Sequence, residues 1–217
     1  MVKAVLFDVD GTLLDTERIY MEAWRVIAKQ HGFPMPEEVL LSTRAIPSEK
    51  ARGIFNAICE GFDYDTLYPL RTPWIEGAIE RESPILRPGV KELLEELRRR
   101  GILCAAVTST NAEKTAKHLR LSEIDSYFSA FVCGDDPELT AGKPDPAPFL
   151  LGAKRLGVAP QYCIGVEDSR AGIRSLHDAG MKAFMVPDKV PPDDTIRQNA
   201  YAILDRIDAI VPMLEAL

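Results

Sequence analysis

The chain has 217 residues and a formal net charge of −7, from 33 acidic residues against 26 lysines and arginines. Its apolar fraction of 46% and charged fraction of 27% are ordinary for a soluble globular protein and exclude a wholly disordered chain. The acidic balance argues against nucleic acid or an anionic membrane surface as the main partner, whereas a small anion would respond to local charge.

The first predicted strand is Lys3–Phe7, a short apolar run that ends at Asp8. Residues 15–84 then break the pattern, because they contain helical stripes but no convincing strand. The stripe from Tyr20 to His31, closed by Gly32, is typical of an amphipathic helix. We therefore predict a helical domain over 15–84, inserted into a core made of 1–14 and 85–217.

The core resumes with strands that alternate with helices. Helical spacing at Val90–Leu97, around Phe149–Leu156 and after Ser169, the predicted N-cap, separates short apolar runs. These runs predict strands at Ile102–Val107, Ala130–Cys133, Tyr162–Val166 and Lys182–Val186. The alternation indicates an α/β fold with a mainly parallel, Rossmann-like sheet.

The end of the chain carries weaker signals. The polar, proline-rich run Pro187–Asn199 predicts a loop, and Ala200–Leu204 predicts a short edge strand. Asp205 is the predicted cap of a last helix that Pro212 should kink or break early.

Cysteine spacing and the chain's first residues bear on location. None of the four cysteines forms a C-x-x-C pair, so the sequence supports neither a zinc cluster nor a redox motif. The apolar start ends at Asp8, too early for a signal-peptide core, and no run approaches the ~20 apolar residues of a membrane span. We expect a cytoplasmic protein with no membrane partner.

Polar residues follow several predicted strands at the edge where ligands collect in an open α/β sheet. Asp8 and Asp10 follow the first strand, and Glu167 and Asp168 follow the strand from Tyr162. Each pair alone has an ordinary alternative, a polar turn for the first and helix N-terminal charge for the second. Four carboxyl groups at one point would repel strongly, however, so together they favour a hard divalent cation such as Mg²⁺.

Three further residues at this edge could bind a phosphate. Thr108 and Ser109 follow the second strand, and Lys143 lies in a connection that prolines stiffen. The alternatives are simple N-capping for the hydroxyls and an exposed lysine at position 143.

These pieces occur together in an order that resembles the haloacid dehalogenase superfamily. The matching segments, in chain order, are Asp8-x-Asp10-Gly11-Thr12, Thr108-Ser109, Gly142-Lys143-Pro144-Asp145-Pro146 and Gly165-Val166-Glu167-Asp168-Ser169. The resemblance covers essentially the whole chain and is strongest to the branch of β-phosphoglucomutases and small-molecule phosphatases. It implies that the insert 15–84 is a helical cap domain.

The resemblance also implies a role for each core residue. Asp8 would be the nucleophile that forms an aspartyl-phosphate, and Asp10 the general acid and base. The dehalogenases of the superfamily lack this second acid, so Asp10 favours phosphoryl transfer. Mg²⁺ would bind Asp8, the backbone carbonyl of Asp10, and Asp168, with Glu167 as a ligand or a supporting partner. Thr108, Ser109 and Lys143 would hold the phosphoryl group.

The cap would choose the substrate, a small phosphorylated metabolite such as a sugar or nucleoside phosphate. The candidate cap residues are Thr16, Glu17, Tyr20, Arg44 and Ser48, whereas Trp24 is expected to pack inside the cap. The mutases carry a histidine where Tyr20 falls and an arginine near Ser48, so a Mg²⁺-dependent phosphatase is expected over a mutase. A non-catalytic binding protein is the remaining alternative, and a monomer is expected.

Overall fold

The computed structural model describes residues 1–43, 48–58, 61–83, 85–188 and 191–217, with only the backbone of 48, 49 and 58. The chain divides into two compact units. One consists of Met1–Asp15 with Pro84–Leu217, and the other of Thr16–Ser83.

The first unit contains a six-stranded sheet in which every strand pair is parallel. The strands are β1 Ala4–Phe7, β2 Leu103–Val107, β3 Ala130–Val132, β4 Cys163–Glu167, β5 Lys182–Met185 and β6 Ala202–Ile203. Their order is β3-β2-β1-β4-β5-β6. The strands after β1 are added first on one side of it, as β2 and β3, and then on the other side, as β4 to β6, so the order switches between β1 and β4. The predicted α/β fold with a parallel sheet is confirmed.

The register of the central strands determines which residues lie next to one another at their carboxyl ends. Phe7 at the end of β1 pairs with Ala106 of β2 and with Val166 of β4. The residues that follow these three, Asp8 among them, therefore emerge side by side at the switch point, where open α/β sheets bind ligands.

Ten α-helices lie within the described residues. They are α1 Thr16–Gln30, α2 Glu37–Ser42, α3 Ser48–Ile58, α4 Tyr64–Leu67, α5 Arg71–Glu82, α6 Val90–Arg99, α7 Ala112–Leu121, α8 Ala147–Leu156, α9 Arg170–Asp178 and α10 Asp194–Asn199. Short 3₁₀ helices cover Asp125–Tyr127, Pro160–Tyr162 and Ile207–Met213. Over these described ranges, no helix is both long and apolar enough to cross a membrane.

Three core helices, α6, α8 and α9, lie where the sequence predicts them. The apolar stripe of α6 is fully buried, and α8 ends at Gly157 in the left-handed conformation that glycine adopts without strain. Ser169 caps α9, because its side chain accepts a hydrogen bond from the backbone N–H of Gly172. This cap fixes the start of a helix directly after Glu167 and Asp168.

Two predictions for the end of the chain are wrong. The segment Pro187–Asn199 is not all loop, because the Asp193 carboxylate accepts a hydrogen bond from the N–H of Ile196 and starts α10. Ile196 is fully buried, which stabilises this short helix. Asp205 does not cap a last helix, since a 3₁₀ helix begins after Arg206 instead and contains Pro212.

The second unit packs around aromatic side chains. Trp24 of α1 lies 4.5 Å from Phe55 and 5.5 Å from Tyr64 between ring centroids, and the Arg71 guanidinium stacks 4.2 Å from the Trp24 ring. Such contacts add stability beyond the apolar area that they bury. The packing role expected for Trp24 is what the structure shows. The described part of Thr16–Ser83 is helical and contains no strand.

The close approach of α9 to the sheet generates a stability prediction. A Cβ at Gly165 of β4 would overlap the Leu176 side chain of α9, so Gly165→Ala should cost about 1–3 kcal/mol of unfolding free energy. Gly53→Ala is the matched control, because Gly53 is helical and faces open space, and it should be neutral or stabilising by up to about 1 kcal/mol. Urea denaturation measures both, and equal stability of the two variants would contradict this packing argument.

Candidate active site

Asp8 stands at the carboxyl end of β1, where its backbone N–H donates to the Val166 carbonyl at 3.0 Å. Its side chain is almost fully buried and accepts a hydrogen bond from Lys143 at 2.6 Å. The pKa of Asp8 is raised to about 7, mainly by burial; Lys143 lowers this pKa, and the neighbouring Glu167 and Asp10 raise it. The carboxylate is therefore held in a site that strongly favours additional positive charge.

Lys143 lies between two carboxylates. Its ammonium donates to Asp8 Oδ1 at 2.6 Å, to Glu167 Oε1 at 2.7 Å and to the Val107 carbonyl at 3.0 Å. Burial lowers the pKa of Lys143, but Asp8 and Glu167 outweigh it and hold the pKa above its ordinary value. With only 7% of its side chain exposed, Lys143 is not the exposed lysine of the alternative interpretation.

The loop that carries Lys143 is fixed by hydrogen bonds on both sides of the lysine. The N–H of Asp145 donates to the Gly142 carbonyl at 3.0 Å, and the Asp145 carboxylate accepts from the N–H of Ala147 at 2.8 Å. The buried hydroxyl of Ser175 on α9 donates to the Asp145 carbonyl at 2.6 Å. Sequence analysis missed Ser175, because nothing in its local pattern separates it from other helix serines.

Glu167 is 1% exposed, and hydrogen bonds reach both of its carboxylate oxygens. Oε1 accepts from Lys143, while Oε2 accepts from the N–H groups of Asp168 and Ser169 at 3.0 and 2.9 Å and from the Ser169 hydroxyl at 2.8 Å. Charge-assisted bonds of this kind are stronger than neutral ones. Glu167 thus ties the lysine loop to the start of α9.

Asp10 is oriented by hydroxyl groups that follow β2. The Thr110 hydroxyl donates to Asp10 Oδ2 at 2.7 Å, and the Thr108 hydroxyl lies at 3.4 Å from the same oxygen. Sequence analysis named Thr108 but missed Thr110, although the hydroxyl-rich run after the second strand was a usable signal.

The three predicted phosphate-binding residues border one cavity of about 210 Å³. Its lining consists of Thr108, Ser109, Gly134, Leu139, Ala141, Gly142, Lys143 and Pro148. Ser109 is exposed at its rim, whereas Thr108 and the Lys143 side chain are buried. The cavity therefore brings hydroxyl groups and one ammonium group together, which is a chemistry suited to an anion.

Asp8, Glu167 and Asp168 can each offer one oxygen within 4.8 Å of the others. A set of carboxylate oxygens without sulfur or imidazole matches what Mg²⁺ prefers. Gly11 closes one side of this group, since its φ is +87° and a Cβ there would overlap the Asp168 carboxylate. The donor set fits the magnesium ion expected from the sequence.

The cap candidates are placed only in part. Thr16 is fully buried, and Glu17 and Tyr20 are half-buried on α1. Arg44 and the side chain of Ser48 lie outside the described residues. The role of all five cap positions remains a prediction.

Comparison with known proteins assigns the family. The model of haloacid dehalogenase-like hydrolases matches residues 2–180. The chain belongs to this family. The expected superfamily is confirmed, and with it an enzyme of the hydrolase class.

Three similar proteins indicate which branch of the family the chain resembles. A phosphorylated carbohydrates phosphatase of Thermotoga maritima is 33% identical over 83% of each chain. The β-phosphoglucomutase of Bacillus subtilis is 33% identical over 94% of this chain and 93% of its own. A crystal structure from Thermotoga maritima, provisionally described as a β-phosphoglucomutase, covers 100% of both chains with a TM-score of 0.83 and 28% identity. The similarity to the phosphorylated carbohydrates phosphatase supports phosphatase activity for this chain.

The ion pairs of Lys143 with Asp8 and Glu167 lead to a second prediction. Lys143→Met should cost about 3–5 kcal/mol of unfolding free energy at pH 8 in EDTA, because two buried carboxylates lose their counterion. Lys143 lowers the pKa of Asp8, so the folded variant binds a proton on Asp8 at a higher pH than the unaltered protein, whose Asp8 has a pKa of about 7. The loss should therefore grow as the pH rises above about 7, and it should be smallest near about pH 6, where Asp8 is protonated in both proteins.

Lys154→Met is the matched control for this measurement. Lys154 forms an exposed ion pair with Glu138, so its loss should cost no more than about 1 kcal/mol at either pH. Urea denaturation across pH tests both variants. A loss of unfolding free energy in Lys143→Met that is as small as that in Lys154→Met, or that is independent of pH, would contradict the role of Lys143 as the counterion of Asp8 and Glu167.

Proposed function

We propose that this protein hydrolyses a small phosphate monoester through an aspartyl-phosphate formed on Asp8. The observation that carries the proposal is the ammonium of Lys143, which lies 2.6 Å from Asp8, while Lys143 also lines a cavity together with Thr108 and Ser109. A carboxylate can attack the phosphorus of a phosphate ester only when the negative charges of both groups are offset. Lys143 lines that cavity and contacts the carboxylate, so it serves both needs.

In the first displacement, one Asp8 carboxylate oxygen forms a bond to phosphorus as the bond from phosphorus to the ester oxygen breaks. Asp10, in its protonated form, gives its proton to that leaving oxygen, which departs as an alcohol. In the second displacement, Asp10 accepts a proton from water as the water oxygen bonds to phosphorus and the bond to Asp8 breaks. Inorganic phosphate leaves, and both carboxyl groups return to their starting states.

Thr110 supports the proton-transfer role of Asp10. Its hydroxyl donates to Asp10 Oδ2 at 2.7 Å and so fixes the direction of the carboxyl group. A general acid must lie within hydrogen-bond reach of the proton's destination, so such orientation matters as much as acidity.

We propose that Asp8, Asp168 and the backbone carbonyl of Asp10 hold Mg²⁺, with Glu167 orienting the site. Both Glu167 oxygens already accept hydrogen bonds from Lys143, Asp168 and Ser169, which supports an orienting role. When bound, Mg²⁺ would offset negative charge on the carboxylates and on the transferring phosphoryl group.

The remaining contacts to the phosphoryl group would come from Thr108, the backbone N–H of Ser109, and Lys143. All three residues border the same cavity, which supports this assignment. Phosphoryl transfer depends mainly on such positioning and on electrostatic stabilisation.

We assign the choice of leaving group to the helical unit Thr16–Ser83, acting as a cap. The relative named for phosphorylated carbohydrates favours a sugar phosphate, and a nucleoside phosphate is the other candidate class. The monomeric state and the cytoplasmic location stay predictions from the sequence.

A phosphosugar mutase is the second candidate, favoured by the 33% identity to the β-phosphoglucomutase of Bacillus subtilis. Tyr20 opposes it, because the mutases that the sequence resembles carry a histidine at this point. A mutase would turn β-glucose 1-phosphate, primed with a sugar bisphosphate, into glucose 6-phosphate and release little free phosphate.

Phosphate release tests the proposal on a panel of sugar and nucleoside phosphates that includes β-glucose 1-phosphate. Asp8→Asn should lower kcat by at least about 10³-fold, because it removes the nucleophile, and EDTA should abolish activity reversibly. The matched control is Asp125→Asn, since Asp125 is exposed at a surface 3₁₀ helix and should leave kcat unchanged.

Two outcomes of that panel would contradict the proposal. Full activity of Asp8→Asn would exclude the covalent mechanism. Full activity in EDTA would exclude a role for the metal ion. Fast isomerisation of β-glucose 1-phosphate with little phosphate release would assign the mutase instead.

A further inference from the structure

Arg87 is a largely buried cation that neither the sequence motifs nor the proposed mechanism uses. It lies just before α6, and only 15% of its side chain is exposed. Its guanidinium donates from Nη1 to the Gly11 carbonyl at 2.7 Å and from Nη2 to the Pro187 carbonyl at 3.1 Å. Nη1 also lies 3.1 Å from Asp188 Oδ1, so the charge has a buried partner.

The backbone around Arg87 is fixed to the segment that follows β1. Its N–H donates to the Leu13 carbonyl at 2.9 Å, and the N–H of Asp15 donates to the Ile85 carbonyl at 2.9 Å. Between these bonds, Leu14 and Leu86 form an antiparallel bridge. Arg87 therefore projects from a rigid base and is not a surface side chain that happens to fold inward.

The first carbonyl that Arg87 holds belongs to the wall of the carboxylate group. Gly11 has a φ of +87°, and a Cβ there would overlap the Asp168 carboxylate, so the two residues are in close contact. A rotation of the Gly11 peptide would move the surface against which Asp168 rests. The bond from Arg87 to the Gly11 carbonyl opposes that rotation.

The second and third acceptors lie on the other side of the same strand end. Pro187 and Asp188 follow Val186, whose N–H donates to the Glu167 carbonyl at 2.9 Å. Arg87 thus links the loop after β1 to the loop after β5, and the end of β4 with its two carboxylates lies between them. A planar guanidinium can hold several acceptors in fixed directions, which a lysine ammonium cannot reproduce.

We propose that Arg87 is a positioning residue that sets the affinity of the carboxylate group for a divalent cation, by holding the Gly11 peptide against Asp168. The inference rests on the metal site of the proposed function. Groups that orient metal ligands without touching the metal commonly change metal affinity by 10–100-fold when they are removed.

The test is a calorimetric titration of the resting protein with Mg²⁺, without substrate. Arg87→Met should weaken Mg²⁺ binding by about 10–100-fold relative to the unaltered protein. Arg206→Met is the matched control, because Arg206 forms an exposed ion pair with Asp208, and it should bind Mg²⁺ as the unaltered protein does. Urea denaturation in EDTA establishes that each variant is folded before the titration.

Arg87→Lys keeps the positive charge but not the planar array of donors, so it should lose affinity to a smaller extent than Arg87→Met. It also serves as the test variant if Arg87→Met does not fold. A folded Arg87 variant that binds Mg²⁺ within about threefold of the unaltered protein would overturn the inference. Failure of the unaltered protein to bind Mg²⁺ would instead overturn the proposed metal site, and the inference with it.

Discussion

The site depends on the hydrogen bonds that the Lys143 ammonium donates to two carboxylates. These bonds are 2.6 Å long to Asp8 and 2.7 Å long to Glu167, and the parallel register of β1 and β4 brings the two carboxylates side by side. A buried pair of like charges is strongly unfavourable without a counterion. The sheet can therefore present these two groups together only because the loop after β3 returns a lysine to the space between them. The hydrogen bonds around Asp145 fix that loop, and through Ser175 they connect it to α9.

The compensation by Lys143 is incomplete, and this has a functional consequence. Burial still raises the pKa of Asp8 to about 7 although the lysine is in contact with it. A site that holds the proposed nucleophile, Asp8, at a raised pKa would be stabilised by a further cation, which the proposed Mg²⁺ would supply beside Asp168. The cost of this cluster in folding stability and the binding of Mg²⁺ that we propose would then have one cause, because the carboxylates carry more negative charge than a single lysine neutralises.

The sequence predicted what depends on local patterns or on the edge of a parallel sheet. Ser169 was predicted as a cap from its neighbours, and Lys143 was placed near the carboxylates because strand-end segments converge there. Side-chain direction was not accessible: Thr110, not only Thr108, turns its hydroxyl to Asp10. The helix over Ile196 was missed because one buried residue in a proline-rich segment gives no periodic signal. Arg87 was missed because its carbonyl partners lie 76 and 100 residues away in the chain.

Chemical trapping tests whether Asp8 carries the phosphoryl group during turnover, as we propose. Borohydride reduces an acyl phosphate to an alcohol, so reduction during turnover should convert Asp8 to homoserine, and mass spectrometry of the peptide that contains Asp8 should detect the change. We expect homoserine at position 8 when substrate is present and unmodified aspartate when it is absent. Continued phosphate release with no substrate-dependent change at Asp8 would contradict the proposal.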